Sequence, residues 1–339
     1  MTTTRRFLAI ALLSALPFSG CVGSARPLAK TWADIGNDEV NPIAYEAFWP
    51  ASPYLSHPQR PREQRPFDDA VLHVDELGDD TADITVIVLH GGGGHGRLLL
   101  PFAVPLAQAG YRVVVPDLPE HGLSHADGVV TFDRWVRWVS LLVEREHAAC
   151  HRVVLYGLSL GGTTAWHVAA ENQHVVGVIA TTLLDMRDAD ARAATASGPL
   201  AANVGAPLAI ALPFLLDALP LRAGDVGRMA AMSETSSLVQ LLERDARIGG
   251  VSMPAAFYRT LMTRTPATAP DAGLLPPLLL VHPGADQWTP VALSQSLYDR
   301  WGSPSFTHKS MVVLTGGAHL PLERVPFDEL QRTVLAWPW

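Results

Sequence analysis

A glycine-flanked serine is the feature of this 339-residue chain best suited to chemistry. Residues 157–161 read Gly-Leu-Ser-Leu-Gly and directly follow the apolar run 153–156. Because glycines permit a sharp turn from strand to helix, the pattern predicts that Ser159 presents its hydroxyl above a sheet. A serine hydroxyl is a weak nucleophile near neutral pH, so it requires a base and a group that orients the base. The motif therefore predicts nucleophilic catalysis where such partners follow.

Two residues further along the chain are the predicted partners. Asp286 and His319 each lie in a glycine-containing loop that follows an apolar strand. Functional residues of open parallel sheets collect beyond the carboxyl ends of the strands. We predict that Ser159 is the nucleophile, that His319 is general base and then acid, and that Asp286 orients His319. Asp185, which follows another apolar strand, is the alternative carboxylate.

A glycine run after a β-branched strand predicts the oxyanion site. The strand 84–89 is followed by His90 and then four consecutive glycines. Backbone amides without side chains can point into a pocket and donate to an oxygen that develops negative charge. We predict that the amides of Gly92 and Leu160 are the two donors, with Gly93 as the alternative to Gly92.

These motifs together resemble the α/β-hydrolase family, and within it the lid-bearing serine esterases and monoacylglycerol lipases. The resemblance extends from about Val71 to the C-terminus. It includes residues 117–124, which match the family pattern Asp-x-x-Gly-His-Gly-x-Ser except that Glu120 replaces the first glycine. It implies an α/β-hydrolase fold, a mostly parallel doubly wound sheet with a helical cap, and hydrolysis of carboxylic esters of small molecules or lipids without a cofactor.

The same scaffold supports other chemistry, so two further functions stay open. One is a peptidase or amidase that resembles the proline iminopeptidases. The other is a catalytically inactive lipid-binding protein of the cell envelope, although such proteins commonly lose the nucleophile or the histidine.

The chain divides into four parts by pattern. Residues 1–21 form a signal, and 22–66 are proline-rich and irregular. Residues 67–185 and 274–339 alternate strands and helices, which predicts a parallel sheet. We expect strands near 71–75, 84–89, 111–115, 152–156, 175–181, 278–282 and 310–314, and helices near 97–109, 131–149, 160–172, 290–301 and 323–336.

The intervening residues 186–273 predict helices without strands, which would form a cap over the site. Within them, residues 204–221 are strongly apolar but contain three prolines, which interrupt a membrane-spanning helix. This stretch is either the apolar interior of the cap or an acyl pocket or lid that meets lipid surfaces.

Residues 1–21 resemble a bacterial lipoprotein signal. Arg5 and Arg6 precede a short apolar stretch that ends in small residues and Cys21. The stretch is shorter than the roughly 20 residues of a spanning helix. The resemblance implies lipid attachment at Cys21 and a lipid-anchored protein of the bacterial cell envelope. Phe18 replaces the usual leucine, so a secreted or soluble periplasmic protein is the alternative.

Composition and histidine spacing restrict the partners. The chain is 48% hydrophobic with a net charge of −8, which fits a folded core and argues against nucleic-acid binding. Histidines four residues apart occur at 121 and 125 and at 147 and 151, but no carboxylate-rich cluster accompanies them. We therefore predict no metal site. His95 is a candidate substrate contact, Cys150 a thiol without a disulfide partner, and the oligomeric state is open.

Overall fold

A mostly parallel sheet of nine strands forms the centre of the protein. The computed structural model describes residues 43–52, 63–149, 151–302 and 308–338. The strands are β1 (Glu63–Phe67), β2 (Ala70–Leu77), β3 (Ile84–Leu89), β4 (Arg112–Pro116), β5 (His125–Ala126), β6 (Arg152–Gly157), β7 (Val175–Ala180), β8 (Pro220–Arg222), β9 (Ser252–Pro254), β10 (Leu278–His282) and β11 (Lys309–Val313). Their order across the sheet is β1-β2-β4-β3-β6-β7-β10-β11, with β5 beside β2 and with β8 and β9 in a separate pair.

Helices cover both faces of this sheet. They are α1 (Ile43–Glu46), α2 (Leu100–Gln108), α3 (Phe132–Ala148), α4 (Leu160–Ala169), α5 (Ala189–Thr195), α6 (Ala206–Ala211), α7 (Pro213–Leu216), α8 (Ala223–Val226), α9 (Ser236–Arg244), α10 (Ala255–Thr263), α11 (Val291–Arg300) and α12 (Arg324–Ala336). Along β3, Val86 and Val88 pack in the layer of α2 and α12, while Ile87 and Leu89 pack in the layer of α3 and α4. The strands are apolar throughout because both faces are buried.

The parallel pairing brings the ends of distant strands together. Strand β6 pairs with β3 and β7, and β10 pairs with β7 and β11, all in parallel. In this register Leu89 at the end of β3 lies opposite Gly157 at the end of β6. The loops that follow these strands therefore open at one edge of the sheet. The predicted fold class and the predicted core strands are confirmed.

The two-residue strand β5 and two further groups of strands were missed in the sequence. Strand β1 lies inside the proline-rich segment and pairs antiparallel with β2. The expectation of a cap without strands is wrong. In the part of the chain that follows β7 and precedes β10, strands β8 and β9 pair antiparallel with each other. Both groups are short or contain proline, so neither shows the alternating apolar pattern that identifies a strand.

The segment before β1 contacts both the core and the helices that follow β7. The Tyr45 hydroxyl in α1 donates to the Asp245 carboxylate at 2.7 Å, and its ring lies 5.9 Å from that of His95. Cys21, with the signal, and Cys150 lie outside the described residues. Within the described part of the chain, every helix is too short or too polar to cross a bilayer.

Candidate active site

The turn between β6 and α4 holds Ser159 in a strained conformation. Ser159 has φ 56° and ψ −128°, a region that non-glycine residues rarely adopt. A Cβ on Gly157 would lie 2.1 Å from the carbonyl oxygen of Gly161, and a Cβ on Gly161 would lie 2.2 Å from that of Leu89. Only glycine fits both positions, and the strain at the serine costs about 1–2 kcal/mol.

The structure brings the three residues of the predicted relay together. The Oγ of Ser159 lies 2.7 Å from Nε2 of His319, and Nδ1 of His319 lies 2.8 Å from Oδ2 of Asp286. The side chains of His319 and Asp286 are 2% and 0% exposed. Because the carboxylate accepts a hydrogen bond from the Nδ1–H group, the unprotonated Nε2 is left to accept the serine proton. This geometry suits proton abstraction from the hydroxyl.

Four hydrogen bonds hold the Asp286 carboxylate ionised. Its Oδ1 accepts from the backbone amides of Trp288 and Thr289 at 2.8 and 2.9 Å, and its Oδ2 accepts from the Thr289 hydroxyl and from His319. Burial alone would raise the pKa of Asp286, but the bonds from His319 and Thr289 outweigh burial and lower it to about 2. The carboxylate is thus a fixed negative charge behind the imidazole.

Hydrogen bonding distinguishes the two candidate oxyanion donors of the glycine run. The amide of Gly93 donates to Nε2 of His121 at 3.0 Å and is therefore occupied. Among the described residues, the amides of Gly92 and Leu160 have no protein acceptor, and both residues line the same cavity as Ser159. Of the two alternatives, Gly92 is the residue whose amide is available.

Two buried histidines hold the glycine run 91–94 by hydrogen bonds. Nε2 of His90 accepts from the Leu118 amide at 2.8 Å, and its Nδ1 donates to the Gly91 carbonyl. Burial, together with nearby His90, lowers the pKa of His121 to about 3, so its Nε2 stays an acceptor for Gly93 at neutral pH. The sequence did not predict the contact of His121 with the glycine run, because it indicated only that His121 belongs to the 117–124 motif.

The 117–124 loop tolerates its departure from the family pattern at a conformational cost. Asp117 accepts from the amides of Gly96 and Leu123 at 2.7 and 2.8 Å, which anchors the loop. Glu120 has φ 65°, the left-handed region that glycine adopts freely. Its carboxylate accepts from the Ala126 amide at 3.2 Å, a bond that a glycine would not make.

Other candidate residues lie away from the relay. Asp185 is bound by the guanidinium of Arg187 at 2.8 and 2.6 Å. Burial would raise the pKa of Asp185, but the bonds from Arg187 lower it, and it is absent from the His319 contacts. His95 is fully buried and its Nδ1 accepts from the Leu98 amide, so the expectation of a substrate contact is wrong. The described residues contain no cluster of three potential metal ligands.

A cavity of about 460 Å³ lies between Ser159 and the segment that follows β7. Apolar residues of this segment form most of its wall, and Arg192 and Asp225 are its charged lining residues. Gly92, Ser159 and Leu160 form its floor. A mostly apolar pocket with a few converging polar groups is the usual form of a small-molecule site. Its apolar wall residues include Leu184, Met186, Leu208, Leu219, Leu221 and Trp288.

Comparisons with known proteins identify the family of the chain. A family model, Hydrolase_4 (serine aminopeptidase, S33), matches residues 80–323. The chain is 27% identical over 187 residues to a thermostable monoacylglycerol lipase of Bacillus sp. (strain H-257), which covers 53% of this chain and 70% of that protein. It is 28% identical over 252 residues to a pimeloyl-[acyl-carrier protein] methyl ester esterase of Xanthomonas campestris pv. campestris (strain B100), covering 74% and 92%.

Solved structures show the same fold. The monoacylglycerol lipase of Paleococcus ferrophilus superposes with a TM-score of 0.63 at 22% identity, over 78% of this chain and 97% of that one. A soluble variant of the monoglyceride lipase of Saccharomyces cerevisiae gives 0.65 at 13% identity, over 85% and 96%. Since the family model covers well over half of the chain and the sheet has the matching architecture, the protein belongs to the α/β-hydrolases, in the serine aminopeptidase S33 family.

Proposed function

We propose that the protein is a serine hydrolase that cleaves carboxylic esters. The observation that carries the proposal is the continuous hydrogen-bond relay from Ser159 through His319 to the ionised Asp286. The similarity to a lipase and an esterase supports esters as the substrate class.

The reaction follows from the positions of these atoms. Nε2 of His319 takes the proton of Ser159 while Oγ attacks the ester carbonyl carbon, and the amides of Gly92 and Leu160 donate to the oxyanion. Protonated His319 then gives that proton to the leaving alcohol, which leaves an acyl-enzyme. Water attacks the acyl carbon with His319 again as base, and the acid and free Ser159 are released. Each step uses side chains of this protein and water.

We propose that residues 186–273 act as a cap and that the cavity beneath them takes the acyl part of an apolar or lipid ester. The wall that supports this role is largely apolar and lies directly over Ser159. Phe214 and Leu215 on the outer side of the same segment are 100% and 77% exposed, which suits contact with an apolar substrate phase.

Ser159→Ala tests the proposal. The variant should lose nitrophenyl ester hydrolysis by about 10⁴–10⁶-fold, because only the oxyanion donors and substrate binding remain. It should also lose covalent labelling by a fluorophosphonate, while its thermal unfolding midpoint matches that of the wild type. Retained labelling would place the nucleophile elsewhere.

An amidase resembling the proline iminopeptidases is the second candidate function. Asp225 supports it, because a carboxylate in the cavity lining suits the ammonium group of an aminoacyl substrate. Parallel assays with nitrophenyl esters and aminoacyl nitroanilides separate the two. A preference for nitroanilides that disappears in Asp225→Asn would favour the amidase.

We further propose that the protein is exported and anchored to the cell envelope by lipid at Cys21. The support is the sequence of residues 1–21 alone. Radiolabelled palmitate should enter the wild type and not Cys21→Ser. Equal incorporation would count against lipid at Cys21, and no incorporation in the wild type would favour a secreted or soluble periplasmic protein.

A further inference from the structure

Trp288 touches the proposed active site and the proposed cap at the same time. Its backbone amide orients Asp286, and its indole ring lies 4.8 Å from the imidazole ring of His319 at an angle of 43°. The side chain is buried, so the imidazole has a fixed wall on one side. Neither the relay motif nor the apolar pattern of the chain indicated this contact.

One edge of the indole, which includes Nε1 and Cζ2, is held by two segments of the proposed cap. Its Nε1 donates to the carbonyl oxygen of Thr195, the last residue of α5, at 3.0 Å. A Cβ on Gly227, just after α8, would lie 2.8 Å from Cζ2 of the indole, so the backbone there touches the ring. The Ser197 amide donates to the Val226 carbonyl at 2.7 Å, which ties the two cap segments to each other.

These contacts form one path from the cap to the general base. A shift of α5 or α8 would remove the acceptor of the indole or press on its ring. The ring would then move against His319, whose Nε2 must stay within hydrogen-bond reach of Ser159. A misplacement of about 1 Å at a reacting group costs about 100-fold in rate.

We propose that Trp288 is a positioning residue that holds His319 in its reactive orientation only while the cap is docked, so that cap position controls the relay. This inference rests on the proposed function, because it assigns His319 the role of general base.

A double-mutant cycle between Gly227 and Trp288 tests the path. Gly227 has an extended backbone (φ −103°, ψ 169°), so Gly227→Ala adds only the methyl group that presses on the indole. It should lower kcat for a short acetate ester about 10–100-fold, with KM changed less than twofold. Trp288→Phe keeps a ring beside His319 but lacks Nε1 and the benzo carbons that face Gly227. It should lower kcat about 3–10-fold.

The double variant decides the question. Without the benzo carbons, the added methyl has nothing to press on, so the double variant should have the kcat of Trp288→Phe and exceed that of Gly227→Ala. If the two substitutions acted independently, the fold-losses in kcat of the single variants would multiply in the double variant. A multiplied loss overturns the proposal. Full kcat in a folded Gly227→Ala variant overturns it as well.

Matched controls use the same substitutions elsewhere. Gly198→Ala also changes a glycine of the proposed cap, but Gly198 does not line the cavity and its Cβ would meet no atom within 4 Å. Trp301→Phe also removes an indole donor to a carbonyl, that of Pro276 at 3.0 Å. Both controls should keep kcat within twofold, and thermal unfolding of every variant checks its fold.

A proton NMR signal separates failure of this inference from failure of the proposed function. The proton between His319 Nδ1 and Asp286 lies beside the indole, whose ring current displaces its resonance. The resonance should shift in Gly227→Ala and, in the double variant, coincide with that of Trp288→Phe. This result supports the path even where Ser159-dependent hydrolysis is absent, and an unmoved resonance in Gly227→Ala overturns it.

Discussion

The loops around Ser159 and the proposed cap, residues 186–273, are built in opposite ways. In the loops, backbone amides, carboxylates and imidazoles hydrogen-bond one another, and glycines bring backbones into direct contact. The α-helices of the proposed cap are short, with 4 to 9 residues each, and two three-residue strands lie among them. The proposed cap contains a run without any charged residue from 193 to 216. Phe214 on its surface is fully exposed.

This difference separates two tasks. The loops must hold reacting atoms to within a fraction of an ångström, and many mutual contacts achieve that. Under the proposed function the cap admits and releases an apolar substrate, so short helices and an apolar surface suit it. Substitutions in the loops should therefore change kcat, whereas substitutions on the cap surface should change substrate preference.

Among the substitutions that compare the loops with the proposed cap, Gly91→Ala should lower kcat the most. An added Cβ would lie 2.8 Å from the Cβ of Ser159 and 3.1 Å from its Oγ, so the serine or the oxyanion loop must move. We expect kcat for an acetate ester to fall about 100-fold. Gly198→Ala in the cap meets no atom within 4 Å and is the control. Equal kcat in the two variants would remove the contrast between the regions.

His167 in α4 is a buried polar residue of the core. Its Nδ1 has no hydrogen-bond partner within the part of the chain that the structure describes, and its ring lies 5.2 Å from that of Phe132. Burial, with the nearby charge of Arg264, lowers the pKa of His167 to about 3. In the unfolded chain, His167 therefore binds a proton below about pH 6.5. In the folded protein, His167 binds that proton only below about pH 3.

Acid should consequently destabilise the wild type through this residue. As pH falls from 6.5 to 5, His167 alone removes about 2 kcal/mol from the free energy of unfolding. His167→Asn should lack that part of the pH dependence, which urea unfolding at a series of pH values measures. Parallel curves for wild type and variant would mean that His167 is protonated in the folded protein.

Local patterns predicted most of the core. Strands such as β3 and β10 are uninterrupted apolar runs because both faces of a parallel sheet are buried, and their positions followed directly. The proximity of Ser159, His319 and Asp286 could be predicted from the sequence because each lies beyond a strand end, where a parallel sheet brings loops together. The meeting of these three side chains depends on topology, and alternating strands and helices fix the topology.

Long-range contacts were beyond the reach of those patterns. Nothing near Trp288 indicates that its indole donates to Thr195, 93 positions earlier. The choice of Gly92 over Gly93 required the hydrogen bond from Gly93 to His121, which links separate loops. The short strands β8 and β9 pair through packing of the cap, and their three-residue sequences carry no period of their own.

The exposed apolar surface of the cap should produce the smallest effect and the most selective one. Phe214 and Leu215 make little contact with the rest of the protein, so replacing both by serine should change the free energy of unfolding by no more than about 0.5 kcal/mol. Where this surface meets a lipid phase, the double variant should hydrolyse emulsified long-chain esters about 3–10-fold more slowly, since two buried apolar side chains are lost from the contact. Hydrolysis of soluble acetate esters should be unchanged.

Val325→Ser is the matched control, because Val325 is a 62% exposed apolar residue on α12, outside the cap. It should leave both activities unchanged. Equal losses on long and short esters in the cap variant would indicate that the segment only supports the cavity from outside. A loss on long-chain esters alone would indicate that the cap surface captures the substrate and that the loops beneath cleave the bond. Phe214 and Leu215 would then act only when an apolar chain enters, so they could not affect an ester that lacks such a chain.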